Sequence, residues 1–291
     1  MNSLEFTIFT LAPVMKIIRI FAFFCFFAVI SPWTSLEAFA VIAPDSMGTF
    51  QTTKLPNSYT PKPKSAEYAA PENIGTAHTV SMPRNGYIGK RVERTYHSLG
   101  PTDGPERPVI VLLHGAGRNG RAMLDMWQHL AEREDIILLA PDALAGANWT
   151  LMNDAAFIAE EMIEDAMRHL PIDSDRIFLA GHSDGGMIAM RLANLGIGPW
   201  KAVEIHAATI ATTFIVPALN AIPVQIHIGD NDHVFPLDLV RNSAMRLAKA
   251  GHDVELVEMS DHTHWYYAVA PRLSLKAWAF FDAAQDRLTA G

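Results

Sequence analysis

The sequence predicts an α/β protein with a mostly parallel central sheet flanked by helices. Three observations carry that reading. The chain has 291 residues, 49% of them hydrophobic and 19% charged, which is enough apolar material for a full core. Short apolar runs of strand length alternate with longer amphipathic stretches, the pattern of strands buried on both faces and covered by helices. A Gly181-His182-Ser183-Asp184-Gly185 turn stands between one such strand and the helix that follows it.

At the N-terminus, Lys16 and Arg19 precede an apolar run over 20–30, and Ala38-Phe39-Ala40 supplies small residues at the two positions a signal peptidase reads. Residues 1–40 are expected to be a secretory signal peptide, with Met15 a candidate start and Val41 the first residue after cleavage. The run of about 11 residues falls short of the roughly 20 that span a bilayer, so no stable membrane anchor is expected once it is removed. Phe23 and Phe24 ahead of Cys25 do not fit a lipobox. Cys25 is the single cysteine, and its loss leaves a thiol-free chain suited to an oxidising compartment. A secreted or periplasmic location follows.

From 41 to 83 the chain carries Pro44, Pro56, Pro61, Pro63, Pro71 and Pro83 among Ser, Thr and Asn, without an apolar period. This stretch reads as a Pro-rich extended leader that adds little to the fold, and 84–291 as a single α/β domain. Within that domain, apolar runs at 109–113 and 136–140 read as buried parallel strands, and Met123, Met126, Trp127 and Leu130 make 121–134 an amphipathic helix between them. The period returns at 154–170 until Pro171 stops it. Further strands are expected at 176–180, 202–206, 224–229 and 254–259, and helices at 187–195, 237–250 and 273–287. His206 and His227 alternate with apolar residues in these strands and read as hydrogen-bonded core histidines.

Twenty-three Lys and Arg against 31 Asp and Glu leave a net charge of -8 with no basic stripe, so nucleic acid is not an expected partner. The chemistry is instead concentrated in the G-x-S-x-G turn. A strand-to-helix turn this tight holds Ser183 in a strained backbone conformation at a helix N-terminus, where free N-H groups favour a developing anion. A serine hydroxyl is a poor nucleophile near neutral pH and needs a base within reach and a carboxylate to orient that base. Asp232 follows one strand and His264 the next, in the order such a triad requires, with Asp230 and His262 as their rivals. The backbone N-H groups of Asp184 and of Ala116, in His114-Gly115-Ala116-Gly117, are candidate oxyanion donors. No phosphate-cradling G-x-x-x-x-G-K pattern follows that loop. A metal site built from His233, Asp261, His262 and His264 is the alternative use of these residues, although His-x-His without further spaced ligands is a weak pattern. The triad reading implies no metal and no cofactor.

Taken together, L-L-H-G-A-G-R-N-G over 112–120, P-I-D-S-D-R-I-F-L-A-G-H-S-D-G-G over 171–186, and G-x-x-D-x-x-x-P over 229–236 resemble the α/β-hydrolase superfamily. Within it, the resemblance is to secreted esterases of the polyhydroxybutyrate depolymerase and feruloyl esterase type, over roughly residues 94–287. It implies an α/β-hydrolase fold with Ser183 as nucleophile, His264 as base and Asp232 as triad acid, acting on a small-molecule or polymeric carboxylic ester. A peptidase on the same fold, or an exported binding protein that keeps the fold without turnover, are the rival readings.

Overall fold

The computed structural model describes residues 47–56, 68–144, 146 and 148–290. The expected signal segment, Cys25 and the cleavage point before Val41 lie outside the described residues. In chain order the elements are β1 (Phe50–Leu55), β2 (Thr76–Pro83), β3 (Arg91–Leu99), β4 (Arg107–Leu113), α1 (Gly120–Glu134), β5 (Ile137–Pro141) and α2 (Leu151–Ala156). A π-helical turn (Phe157–Glu161) leads into α3 (Met162–Met167), followed by β6 (Ile172–His182), α4 (Asp184–Leu195), β7 (Val203–His206), β8 (Val224–Gly229), α5 (Leu237–Lys249), β9 (Val254–Met259) and α6 (Ala270–Ala290).

Among the described residues the strands form one sheet, ordered β1-β9-β8-β7-β6-β4-β5-β3-β2. Pairing is parallel from β1 across to β5 and antiparallel for β5 with β3 and β3 with β2. The pleat of β4 explains the apolar run that marks it in sequence. Val109, Val111 and Leu113 enter one core with Phe157, Leu192, Val240 and Leu247, while Ile110 and Leu112 enter the opposite core with Trp127, Leu130, Leu273 and Phe281. Helices α1 and α6 thus cover one face, and α3, α4 and α5 the other. Helix α1 begins where Asn119 accepts a hydrogen bond from the N-H of Ala122 at 3.1 Å, satisfying one of its orphan donors. No helix among the described residues is long and apolar enough to cross a membrane.

The strands and helices expected from periodicity are present, about half of them with longer ends. The helix expected at 154–170 instead starts at Leu151, capped by Thr150, and passes through the π turn. The leader is where expectation and structure part. Residues 50–55 pair with β9 along the edge of the sheet, and 76–83 pair with β3 at the opposite edge. Val80 and Met82 are buried there. An edge strand shows only one apolar face at most, so its sequence lacks the continuous run that marks β4. β3 was hidden for a different reason: its inward side carries Arg94, whose guanidinium is buried against Asp154 at 2.7 Å.

Candidate active site

All the candidate catalytic residues sit at the carboxyl ends of neighbouring parallel strands, where loops converge. β6 ends at His182, Ser183 turns with φ 54° and ψ -119°, and α4 starts at Asp184. That conformation is strained for a residue with a side chain, and close backbone contacts hold it. A Cβ added at Gly181 would lie 2.5 Å from the Gly185 carbonyl oxygen, and one at Gly185 would lie 2.3 Å from the Leu113 carbonyl oxygen. Both motif glycines are therefore required by proximity. The Ser183 N-H donates to the His206 carbonyl at 3.0 Å, tying the turn to β7.

After β8, the Asn231 N-H donates to the His262 carbonyl at 3.0 Å and brings two loops together. Asp232 accepts from the N-H groups of Val234 and Phe235 through Oδ1, at 2.8 and 2.9 Å, which leaves Oδ2 for the Nδ1 of His264 at 2.8 Å. The other nitrogen of His264, Nε2, is 3.0 Å from Ser183 Oγ. Ser183, His264 and Asp232 are thus joined in one hydrogen-bonded line. Burial disfavours the Asp232 carboxylate, but its hydrogen bond with His264, the charge of that ring and the two N-H donors outweigh burial and hold its pKa below the usual carboxylate value. The side chain of Asp232 is fully covered while that of His264 keeps 17% exposure, so the imidazole is open to solvent and the carboxylate behind it is not.

The rival residues hold other groups. Asp230 accepts from the N-H of Asp261 at 2.7 Å, and His262 turns its Nε2 to the Nε2 of His206 at 2.9 Å. Among the described residues no group of three or more His, Cys, Asp or Glu side chains is arranged to hold a metal ion. His227 bonds to Glu204 at 2.9 Å, so both core histidines are hydrogen-bonded, as expected.

Ala116 is exposed in a turn closed by the Arg118 N-H on the Gly115 carbonyl, at 3.2 Å, with Gly117 at φ 70°. Gly115 packs against the elbow, since a Cβ there would lie 3.4 Å from the Cβ of Ser183. The candidate donor loop and Ser183 are therefore neighbours. Residues that periodicity alone did not reveal complete this wall. The Trp149 indole donates to the His114 carbonyl at 2.8 Å, and its backbone N-H donates to the Asp184 carboxylate at 2.8 Å. Tyr68 stacks on Tyr267 with ring centroids 4.0 Å apart, and the Arg118 guanidinium lies 5.1 Å from the Tyr267 ring. Only the aromatic run after His264 hinted at this platform in sequence.

Residues 139–270 match the phospholipase/carboxylesterase family of hydrolases. No curated protein matches the chain by sequence. Among solved structures, an esterase from the planctomycete Thermogutta terrifontis superposes with a TM-score of 0.57 at 18% identity, over 73% of this chain and 93% of that one. The Bacillus cereus carboxylesterase gives 0.50 at 18% identity, over 66% and 94%. A thermostable esterase gives 0.50 at 20% identity over 64% of this chain, which spans 55% of that longer protein. The protein has the α/β-hydrolase fold, with a mostly parallel mixed sheet between helical layers.

Proposed function

We propose that the protein is a serine hydrolase that cleaves carboxylic esters through an acyl-enzyme. The observation that carries this reading is the line from Ser183 Oγ through His264 to Asp232, at 3.0 and 2.8 Å. Ser183 Oγ attacks the ester carbonyl while His264 Nε2 takes its proton, and Asp232 holds the ring with Nδ1 protonated and stabilises the imidazolium that forms. The N-H groups of Asp184 and Ala116 receive the oxyanion. The imidazolium then protonates the departing alcohol, leaving an acyl group on Ser183 Oγ. Water attacks that acyl-enzyme with His264 again as base, and collapse of the second tetrahedral species releases the carboxylic acid and restores the serine. No step calls for a metal or an organic cofactor.

The finer reading belongs to the same proposal. Residues 1–40 direct the chain out of the cytoplasm, and a substrate of the depolymerase or feruloyl esterase type, small or polymeric, fits the motifs that flank Ser183. A fluorophosphonate probe is expected to label Ser183 once per chain, and Ser183→Ala is expected to abolish hydrolysis of a panel of nitrophenyl and hydroxycinnamoyl esters. Labelling at another residue, or full activity in Ser183→Ala, rejects the mechanism. N-terminal sequencing of the exported protein tests the start at Val41, and a product that retains Cys25 rejects the cleavage.

A further inference from the structure

Beneath the Ser183 and His264 pair runs a line of three imidazoles that the hydrolytic steps leave unused. His182 and His206 end adjacent parallel strands and are register partners across the sheet. The Nδ1 of His206 lies 3.0 Å from the Nδ1 of His182, and its Nε2 lies 2.9 Å from the Nε2 of His262. All three rings are buried. The backbone repeats the same links: the Ser183 N-H donates to the carbonyl of His206, and the Asn231 N-H to the carbonyl of His262. The elbow of Ser183, the loop of Asp232 and the loop of His264 therefore meet on these histidines.

We propose that His206 is a positioning residue of the active site, its imidazole bonded at both nitrogens and thereby fixing the relative placement of Ser183, Asp232 and His264. The inference rests on the serine hydrolase reading of that site. A neutral imidazole has one N-H and one lone pair, so His206 donates through one nitrogen and accepts through the other. Its tautomer consequently sets those of His182 and His262. One extra proton could be carried along the line, but a second would set N-H against N-H. Burial opposes even the first, holding His182 and His206 well below the ordinary histidine value and His262 at about 4. Other groups facing the line are His227 with its partner Glu204, His264, Asp232 and Arg272 on the His262 side, Arg118 and Tyr267 on the His182 side, and Tyr266, whose ring stacks on His182 at 4.6 Å and lies 4.7 Å from His206.

His206→Phe keeps a ring of similar volume and strands the His182 Nδ1 and His262 Nε2 without their partner. Because small misplacement of reacting groups is costly, kcat for nitrophenyl acetate is expected to fall by on the order of 10- to 100-fold with KM changed less than about two-fold. His206→Asn, which returns an amide near the former Nδ1, is expected to recover part of the loss. In the unsubstituted protein labelled with 15N-histidine, nitrogen-nitrogen coupling across the His182–His206 and His206–His262 bonds is expected, together with rings that stay neutral at pH 6. A folded His206→Phe variant that keeps its kcat overturns the inference, and so do absent couplings if that variant does not fold. A parent protein without hydrolytic activity instead overturns the reading of the site, and the inference with it.

Discussion

Asp230 and Asp232 share a loop and a charge, yet one pins a backbone and the other holds an imidazole. Oδ1 of Asp230 receives the Asp261 N-H, while Oδ2 of Asp232 receives His264 Nδ1. Sequence order offered two neighbouring pairs for the acid and base, and the motif resemblance favoured Asp232 and His264 over Asp230 and His262; the physical ground for that choice, how the chain turns after Gly229, is visible only in the fold. A Cβ at Gly229 would lie 2.0 Å from the His262 carbonyl oxygen, and this close approach of the two loops decides which side chains face Ser183. Asp232→Asn is expected to lower kcat by about 10⁴ by releasing the wrong His264 tautomer, whereas Asp230→Asn, whose amide oxygen can still accept the Asp261 N-H at an exposed site, is expected to cost little stability, under about 1 kcal/mol, with a far smaller loss of kcat. Steady-state kinetics beside thermal melts of both variants check this, and equal kinetic losses would remove Asp232 from its special place. For the base, His264→Ala is expected to lose about 10⁴ in kcat and His262→Ala no more than about 10². The opposite ranking would reverse their roles.

At the scale of elements, strands buried on both faces were legible and edge strands were not. β4 and β5 declare themselves as apolar runs, since their side chains have a core to enter on either face, while β8 and β9 show apolar residues interrupted by Gln225, His227, Glu255 and Glu258. In β2 only the alternation of Val80 and Met82 with exposed Thr79, Ser81 and Pro83 marks the strand, and six prolines nearby obscure it. β1 has no buried residue, so its place is set by pairing with β9, which periodicity cannot register. The elbow was legible for a different reason: its glycines and serine form a short local motif whose geometry is dictated by backbone contact. A chain that begins at residue 84 lacks β1 and β2, and the burial of Val80 and Met82 alone is worth roughly 1.5–3 kcal/mol each. Such a truncation is expected to melt well below a chain beginning at Val41, and equal melting temperatures would show that the two edge strands are dispensable. Gly185→Ala is expected to cost more than a surface substitution, since the added methyl meets the Leu113 carbonyl at 2.3 Å and neither backbone can yield without moving Ser183. Loss of fluorophosphonate labelling alongside a lowered melting temperature is the expected signature, and full labelling at unchanged stability would contradict it.

For the molecule as a whole, buried histidines set the response to acid. Of the twelve in the chain, His78, His114, His182, His206, His252 and His262 are all held below the ordinary histidine value, with burial the largest cause in each. A base with a lowered pKa binds fewer protons in the fold than in the unfolded chain. As pH falls below about 6.5 the unfolded state takes up protons that the native state refuses, and stability declines with falling pH. For His262, whose pKa drops to about 4, the loss runs from about pH 6.5 down to about pH 4 and amounts to about 3 kcal/mol at its end. Asp232 has a lowered pKa of the opposite kind: it stabilises above the carboxylate range and loses that contribution only as pH drops through its own depressed value. The two classes therefore separate in pH, histidines first and carboxylates later. Against a typical stability of about 5–15 kcal/mol, the histidine phase alone is large enough to move the melting temperature by several degrees. Melting curves at pH 7, 6, 5 and 4.5 are expected to show a steady fall that begins near pH 6.5, and His262→Asn is expected to flatten it by removing one of the groups that titrates on unfolding. A melting temperature constant from pH 7 to pH 5, or an unchanged slope in His262→Asn, would mean that these rings are protonated in the fold as readily as outside it.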